Sequence, residues 1–343
     1  MQRIMITRRG LNCAAALLVG IGALTGIAPK AVSAADLIPF KMGISAPVVS
    51  ILPVYLAEDG GFYEKYGLKT DILNAEGGTR GIQVLLSNEI QATHVGLAPV
   101  IQANLHGADL RLIAASVNTL PFVIYGTKKK TPPLPKGSTI GISTFGSETD
   151  VAISVALKKL GLTRDDVTIT QIGGTTQRFG AMVAGRIDAA PLLEPAITAA
   201  KEKGFIPVLD LAAAQTPWIF DAVVVTKAYA QAHPDVLTRF LKAYIEAAMK
   251  GLGDPAFAKA SISKHFKTKD PKVIDATYND YVRMMAHDAR PSIEGAKNVI
   301  AQLKAVNLPV GSDDPNSYID LTLIDKLASD GFIAEMQKTY NVK

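Results

Sequence analysis

An internal repeat of roughly 100 residues constrains the fold of this chain more than any other feature. Gly43-Ile44-Ser45 recurs as Gly141-Ile142-Ser143, and Gly77-Gly78-Thr79 recurs as Gly173-Gly174-Thr175. In each copy the hydrophobic pattern predicts strand, helix, strand, helix and strand, in that order. A unit of this size is too long for a solenoid repeat and suits a lobe of a globular protein. The sequence therefore predicts two similar α/β lobes that face each other across a ligand cleft.

The first 34 residues predict a signal peptide, and we expect the mature chain to begin at Ala35. Arg8-Arg9 is the pair typical of twin-arginine export, an apolar run with several glycines follows, and Val32-Ser33-Ala34 offers small residues for cleavage. A membrane anchor is the alternative, but a run of about 17 residues interrupted by glycines is short for spanning a bilayer. The pattern predicts a periplasmic protein.

Removal of this segment changes the charge and the cysteine content of the chain. The whole chain has a formal charge of +5, and the segment holds four basic residues and no acid. The remaining 32 basic and 31 acidic residues leave +1, so the charge gives no reason to expect a nucleic-acid partner. The single cysteine, Cys13, also leaves, and the mature chain is expected to have neither disulfides nor thiol chemistry.

The predicted elements divide the mature chain into two lobes. We assign residues 35–125 and 222–343 to the first lobe and residues 126–221 to the second. Strand-like segments at 122–126 and 222–226 are expected to carry the chain across and back, which makes a two-strand hinge. From Asp235 onward the pattern is helical almost throughout, and these helices should cover the sheet of the first lobe.

Motifs for catalysis or cofactor binding are not found in the sequence. It has no Walker A loop, no His-Glu-x-x-His and no Gly-x-Ser-x-Gly. The five histidines are scattered, and no pair has the spacing of metal ligands. We therefore predict a binding protein with no catalytic residue, no metal and no cofactor.

Candidate ligand-binding residues lie where a predicted strand passes into a predicted helix. Backbone N–H groups are unpaired at the start of a helix, and together with the helix dipole they attract an anion. Glycines at such turns let a ligand approach the backbone closely. The candidates are Ser45, Ala46, Pro47, Ser50, Gly77, Gly78, Thr79 and Ala98 in the first lobe, and Thr144, Phe145, Gly146 and Ser147 in the second.

Glu194 and Trp218 complete the set of candidates. Glu194 directly follows a predicted strand, where a buried carboxylate is costly unless it is paired. It is expected either to bind a hydrogen-donating end of the ligand, or to turn to solvent or pair with a lysine at the rim of the cleft. Trp218, the only tryptophan, is a candidate for the cleft wall, with core packing as the alternative. For Arg80 and Arg178, which follow the two Gly-Gly turns, a surface ion pair is favoured over an anion clamp.

Several segments together resemble the periplasmic substrate-binding proteins of ABC importers, in the branch for nitrate, taurine, aliphatic sulfonates and thiamine precursors. They are residues 53–57 and 61–68, the two Gly-Gly turns, residues 184–190 and Glu194-Pro195. The resemblance implies a type II periplasmic-binding-protein fold with a hinged cleft. It also implies a small organic anion, sulfonate- or carboxylate-like, that a monomer delivers to an ABC permease and its ATPase.

Two departures from the family pattern count against taurine or an alkyl sulfonate as the ligand. Leu193 stands where the family often has an aromatic residue, and Gly43-Ile44-Ser45 stands where it often has Gly-Tyr-Gln. Two other functions stay open. A thiamine-pyrimidine synthase shares the architecture but uses a cysteine-rich site and a cofactor lysine, whereas the mature chain has no cysteine. A module that feeds a sensor kinase would carry the same sequence signals as a transport protein.

Overall fold

Two α/β lobes, each built on a five-stranded mixed sheet, make up the computed structural model, which describes residues 37–127 and 134–342. The predicted signal peptide lies outside the described residues. The strands are β1 (Ile38–Ile44), β2 (Leu68–Asn74), β3 (Ala92–Val95), β4 (Leu110–Thr119), β5 (Val123–Gly126), β6 (Thr139–Ile142), β7 (Thr168–Gln171), β8 (Ala189–Leu192), β9 (Ile206–Asp210) and β10 (Pro217–Thr226). The α-helices are α1 (Leu52–Asp59), α2 (Phe62–Lys65), α3 (Gly78–Leu86), α4 (Leu97–Leu105), α5 (Glu148–Lys159), α6 (Thr175–Val183), α7 (Ala196–Glu202), α8 (Lys227–Ala232), α9 (Pro234–Gly253), α10 (Pro255–His265), α11 (Pro271–Met284), α12 (Ile293–Ala305), α13 (Thr322–Ser329) and α14 (Phe332–Thr339).

The two sheets have the same topology, which confirms the prediction of two similar lobes. The strand order is β2-β1-β3-β10-β4 in the first sheet and β7-β6-β8-β5-β9 in the second. In the first sheet β1 pairs in parallel with β2 and β3, and in the second sheet β6 pairs in parallel with β7 and β8. The fourth strand in each order, β10 or β5, is antiparallel to both of its neighbours. Each of these antiparallel strands follows a crossing between the lobes.

The chain crosses between the lobes twice, through residues 120–122 and through residues 211–216. The Leu120 N–H donates to the Thr216 carbonyl at 3.3 Å, and the Leu211 N–H donates to the Phe122 carbonyl at 3.0 Å. The two crossing segments therefore run side by side. The predicted lobe boundaries, at 125/126 and 221/222, fall inside β5 and β10, a few residues after each crossing.

One strand, β9, is not anticipated by the sequence pattern. It contains Pro207, which cannot donate a backbone hydrogen bond and argues against a central strand. The structure resolves this conflict by placing β9 at the edge of the second sheet, where it pairs only with β5 among the described strands. The edge position leaves one side of the strand without a partner, and proline is tolerated there.

The helical C-terminal part packs mainly on the first lobe. The longest of these helices, α9, buries Leu237, Phe240, Leu241 and Tyr244, which lie on one face at helical spacing. Phe240 stacks on Phe40 of β1 with ring centroids 4.8 Å apart. Burying each such side chain contributes about 1.5–3 kcal/mol.

Within the described ranges, none of the helices is both long and apolar enough to span a bilayer.

Candidate functional site: a closed cleft between the lobes

The cleft between the two lobes holds a cavity with an empty volume of about 490 Å³, part of which is open to solvent. Both lobes contribute to its wall, and most wall residues come from strand ends and the turns that follow them. The lining residues are Ser45, Ala46, Val48, Gly77, Gly78, Val95, Gly96, Pro99, Phe122, Ser143, Ser147, Glu148, Thr149, Gly174, Thr175, Arg178, Leu193, Phe220 and Asp221.

Four helices of at least nine residues begin at this cavity, two from each lobe. Their N-cap residues are Gly77 for α3, Gly96 for α4, Ser147 for α5 and Gly174 for α6, and all four line the cavity. Helix starts carry unpaired N–H groups and the positive end of the helix dipole. Their convergence on one small space makes that space favourable for an anion.

The second-lobe wall contributes a buried cation, Arg178, which is 2% exposed. Its guanidinium donates to the Pro191 and Gly173 carbonyls and to Thr175 Oγ1, at 2.6 to 3.2 Å. These bonds use four of its five N–H donors, and one N–H of Nη1 has no partner within the described part of the chain. Burial lowers the pKa of Arg178 to about 9, so the group is still charged at neutral pH.

None of the partners of Arg178 carries a negative charge. A buried cation normally pairs with an anion, because burying an isolated charge is costly. The expectation of a surface ion pair for Arg178 is therefore wrong. The position of this guanidinium in the cavity wall instead suits an anionic ligand, which would supply the missing countercharge.

Glu148 joins the second lobe to the first across the cleft. Its Oε1 accepts from the Ala98 N–H of α4 at 2.7 Å, and its Oε2 accepts from Trp218 Nε1 of β10 at 2.8 Å. The side chain is buried, and this burial, with a smaller contribution from the charge of Asp221, raises the pKa of Glu148 to about 8, although the two hydrogen bonds oppose the rise. Gly96 is required beside it, because a Cβ there would overlap Glu148 and the Phe220 carbonyl.

The first-lobe wall contains a second acid, Asp221, whose hydrogen-bond partners lie in its own lobe. Its carboxylate accepts from Ser50 Oγ at 2.5 Å and lies 2.6 Å from His94 Nδ1. The other ring nitrogen of His94 lies 2.8 Å from the Tyr244 hydroxyl. All four side chains are buried. This polar chain anchors Asp221 to the core of the first lobe and leaves the carboxylate with donors on both oxygens.

Five of the predicted site residues line the cavity: Ser45, Ala46, Gly77, Gly78 and Ser147. Ser147 also caps α5, since its Oγ accepts from the Asp150 N–H at 3.4 Å. Four others lie next to the cavity without lining it. Thr79 and Thr144 hydrogen-bond to each other across the cleft at 2.9 Å, Ala98 donates to Glu148, and Ser50 donates to Asp221. Pro47 is half-buried and does not line the cavity either.

The remaining predicted residues lie elsewhere. Glu194 accepts from the Thr198 N–H and hydroxyl at 3.1 and 2.9 Å, at the start of α7, and faces a separate groove together with Lys201, Asp210, Asp280 and Arg283. Its carboxylate is held by the first turn of the helix that follows it, and it does not line the cavity. Phe145 is 50% exposed and borders, with Gly146, a groove on the outer side of the cleft. Trp218 is buried behind the wall and reaches the site only through Glu148.

Sequence reasoning missed the three charged residues of the cavity: Arg178, Glu148 and Asp221. Glu148 directly follows the predicted site residue Ser147, and Asp221 directly precedes the predicted strand at 222–226. Nothing in a single sequence, however, distinguishes an inward carboxylate from an outward one. For Arg178 the sequence contains one signal. It lies four positions after Gly174, and residues four apart lie on the same face of a helix, so its side chain is on the same side as the Gly-Gly turn.

One cluster outside the cleft has the residue types of a metal site. Ligand atoms of Glu58, Asp59 and His265 lie within 4.8 Å of one another. The Lys264 ammonium already binds Asp59 at 2.5 Å, and the His265 ring stacks on Tyr55. These contacts account for the cluster as part of the packing between α1 and α10.

Two lobes with a shared sheet topology, two crossings and an interlobe cavity at converging helix starts define a two-lobed ligand-binding protein. Solved structures of this class match it over most of their length. The alkanesulfonate-binding protein SsuA from Xanthomonas axonopodis pv. citri, bound to MOPS, has a TM-score of 0.69 at 19% identity, covering 84% of this chain and 100% of that chain. The periplasmic nitrate-binding protein NrtA from Synechocystis PCC 6803 has a TM-score of 0.68 at 16% identity, covering 88% and 91%.

These similarities confirm the predicted periplasmic-binding-protein fold. The family model described as NMT1/THI5 like matches residues 49–258, which is more than half of the chain. The protein belongs to this family. The taurine-binding periplasmic protein of Escherichia coli (strain K12) is 27% identical over 203 residues, which are 57% of this chain and 62% of that protein. The chain thus spans between about half and three fifths of the length of the curated relatives it matches.

Proposed function

We propose that the protein is an extracytoplasmic solute-binding protein that captures a small organic anion, sulfonate- or carboxylate-like, in the interlobe cavity and delivers it to an ABC permease. No chemistry is done on the ligand. The observation that carries the proposal is the buried guanidinium of Arg178, which faces the cavity without a carboxylate partner.

The surroundings of Arg178 support an anion of limited size. The four helix starts add N–H donors and positive dipole ends around the same space. The apolar wall residues Val48, Val95, Phe122, Leu193 and Phe220 suit a short organic body attached to the anionic group. The phenyl rings of Phe122 and Phe220 meet edge to face, with centroids 5.0 Å apart, and so form a rigid part of this wall.

The relatives indicate which anions to test first. Proteins similar to this chain are described as binding taurine, alkanesulfonates or nitrate. All three ligand types carry an oxyanion with several acceptor oxygens, which a guanidinium and a set of backbone N–H groups can bind together.

Thermal unfolding in the presence of single compounds tests the proposal. The panel contains taurine, methanesulfonate, acetate and nitrate as anions, with choline and glycerol as cationic and neutral controls. A true ligand at about one hundred times its dissociation constant should add roughly 2.7 kcal/mol to the free energy of unfolding. The proposal is wrong if a cationic or neutral compound stabilises the protein and no anion does.

Transport requires export and a membrane partner. We propose export to the periplasm by the twin-arginine route, since Arg8-Arg9 and Ala34 give the pattern of that signal. Changing both arginines to lysine should leave the precursor in the cytoplasm, as cell fractionation would show. Uptake of the best-binding anion by cells that lack this gene should fall, whereas an unchanged uptake would favour a sensor role.

A further inference from the structure

Two of the hydrogen bonds between the lobes are made by Glu148, which itself lines the cavity. The Thr144–Thr79 bond and the bond from the Val49 N–H to the Glu194 carbonyl also cross the cleft. Glu148 is the first residue of α5 in the second lobe, whereas the Ala98 N–H and the Trp218 indole belong to the first lobe. Ala98 lies in the first turn of α4, where an N–H group is free to bind a carboxylate. Both bonds are short, and both would break if the lobes moved apart.

We propose that Glu148 is the residue that locks the cleft shut, and that it takes up a proton as the cleft closes. The proposal rests on the proposed function in one respect, namely that the cleft opens and closes around a ligand. Glu148 is a positioning residue in this scheme. It holds the lobes together around the cavity, while Arg178 binds the anion.

Proton uptake follows from the surroundings of Glu148 in the closed cleft. In an open cleft the carboxyl group would be hydrated and titrate near its ordinary value of 4.5, whereas in the closed cleft burial raises its pKa to about 8. The protonated form therefore prefers the closed cleft. At a pH below the pKa of Glu148 in the open cleft, closing requires no proton uptake. Between the two pKa values, the equilibrium constant for closing falls by up to about tenfold per pH unit. Above the pKa in the closed cleft, it no longer changes with pH.

Among the charged groups near Glu148, Asp221 also raises the pKa of Glu148, and the others are bound to other partners. Asp221 on β10 carries like charge and raises the pKa of Glu148 further. Asp221 is itself held by Ser50 and lies against His94. Arg178 on α6 lines the same cavity, and its hydrogen bonds go to Pro191, Gly173 and Thr175. On the same helix, Asp150 is paired with Arg164 at 2.7 Å.

Trp218 makes this proposal directly measurable, because it is the only tryptophan and its indole N–H binds Glu148. The mature protein is titrated from about pH 5 to about pH 9, and Trp218 fluorescence and the radius of gyration by X-ray scattering are followed together. The wild type should change in both signals within this range, with the smaller radius at low pH. Glu148→Gln keeps the shape of the side chain but cannot titrate, so both changes should disappear.

Three further variants keep the test decisive. Glu294→Gln is the matched control. It removes an exposed acid from the first turn of α12, a helix that is also capped by a serine, and its fluorescence and radius of gyration should change with pH as in the wild type. Trp218→Phe removes one of the two hydrogen bonds that oppose the rise in the pKa of Glu148. In this variant, which is followed by scattering because the tryptophan is gone, the pH dependence should extend to higher pH. Arg178→Met should retain the pH transition even where anion binding is lost, so failure of the lock and failure of anion binding are told apart. A transition that persists in Glu148→Gln, or a wild type with no transition in either signal, would overturn the proposal.

Discussion

The arginines after the two Gly-Gly turns occupy opposite environments, although the repeat places them in similar sequence positions. Arg80 has a side chain that is 61% exposed and lies 3.6 Å from Glu76, itself half-exposed. Arg178 is buried in the cavity wall with carbonyl and hydroxyl partners. The first lobe thus places its arginine at the surface, and the second lobe places its arginine where a ligand can reach it.

One residue of helix register produces this difference. Arg80 is the third residue of α3 and Arg178 is the fourth of α6, and one residue turns a side chain by about 100° around the helix axis. The fourth residue of α3 is Gly81, where an added Cβ would lie 2.7 Å from Thr93 Oγ1. The repeat aligns Thr93 with Ala190, whose smaller side chain suits a larger neighbour on the helix. The first lobe has no room for an inward arginine, and the site is asymmetric for this reason.

The largest effect is expected when the inward arginine is removed. Arg178→Met should weaken binding of the best anion by about 2–5 kcal/mol, because a charge-assisted contact in a buried site is lost. Arg80→Met is the matched control and should leave the affinity unchanged. Calorimetric titration of both variants measures the difference. Equal losses in the two variants would remove the distinction between the lobes.

The second-largest effect is expected on the free energy of unfolding when Asp221 is changed, because its hydrogen-bond partners lie in its own lobe. Asp221→Asn should lower the free energy of unfolding by about 3 kcal/mol, because it disrupts a buried network with Ser50 and His94. Asp109→Asn, which removes an exposed carboxylate that pairs with Arg111 and Lys227, should cost less than about 1 kcal/mol. Denaturant unfolding gives both values. A loss for Asp221→Asn as small as that of the control would show that the buried network contributes little.

A smaller effect is expected at the cap of α5. Ser147→Ala should lower the free energy of unfolding by about 1 kcal/mol and also weaken anion binding, since Ser147 lines the cavity. Ser292→Ala removes the cap of α12, away from the cavity, and should cost similar stability with no change in affinity. If both variants bind the anion equally well, Ser147 caps α5 and does not contribute to binding.

The smallest effect is expected at Glu194. Glu194→Gln should change the affinity for the anion by less than about twofold, because the carboxylate is bound by Thr198 and faces another groove. Burial raises the pKa of Glu194, and this affects the groove and not the cavity. A tenfold change in affinity in titration calorimetry would place Glu194 at the ligand after all.

The repeat and the periodicity were enough to predict the two lobes, most strands and the turns that face the cleft. Gly77, Gly78 and Ser147 were predicted at the cleft and do line the cavity, because the signals for turns and helix caps lie in consecutive residues. Glu148 and Asp221 were missed because the direction of their side chains depends on partners 50 or more residues away. Arg178 was missed because its direction depends on its register on the helix. Glu194 was expected at the ligand, but its carboxylate is bound by Thr198, in the first turn of the following helix, and faces another groove.

The strand order also has a consequence for how the protein is made. All five strands of the second sheet come from one continuous stretch, residues 123–210, so this sheet can form as soon as that stretch has been synthesised. The first sheet has β10 between β3 and β4, and it lacks this inner strand until residue 226 has been added. The lobe whose chain begins first is therefore completed last. Until β10 has been synthesised, β3 and β4 each have an edge whose backbone hydrogen-bonding groups are unpaired. Because unpaired strand edges can pair with other chains, we expect the chain to be most prone to aggregation at this stage.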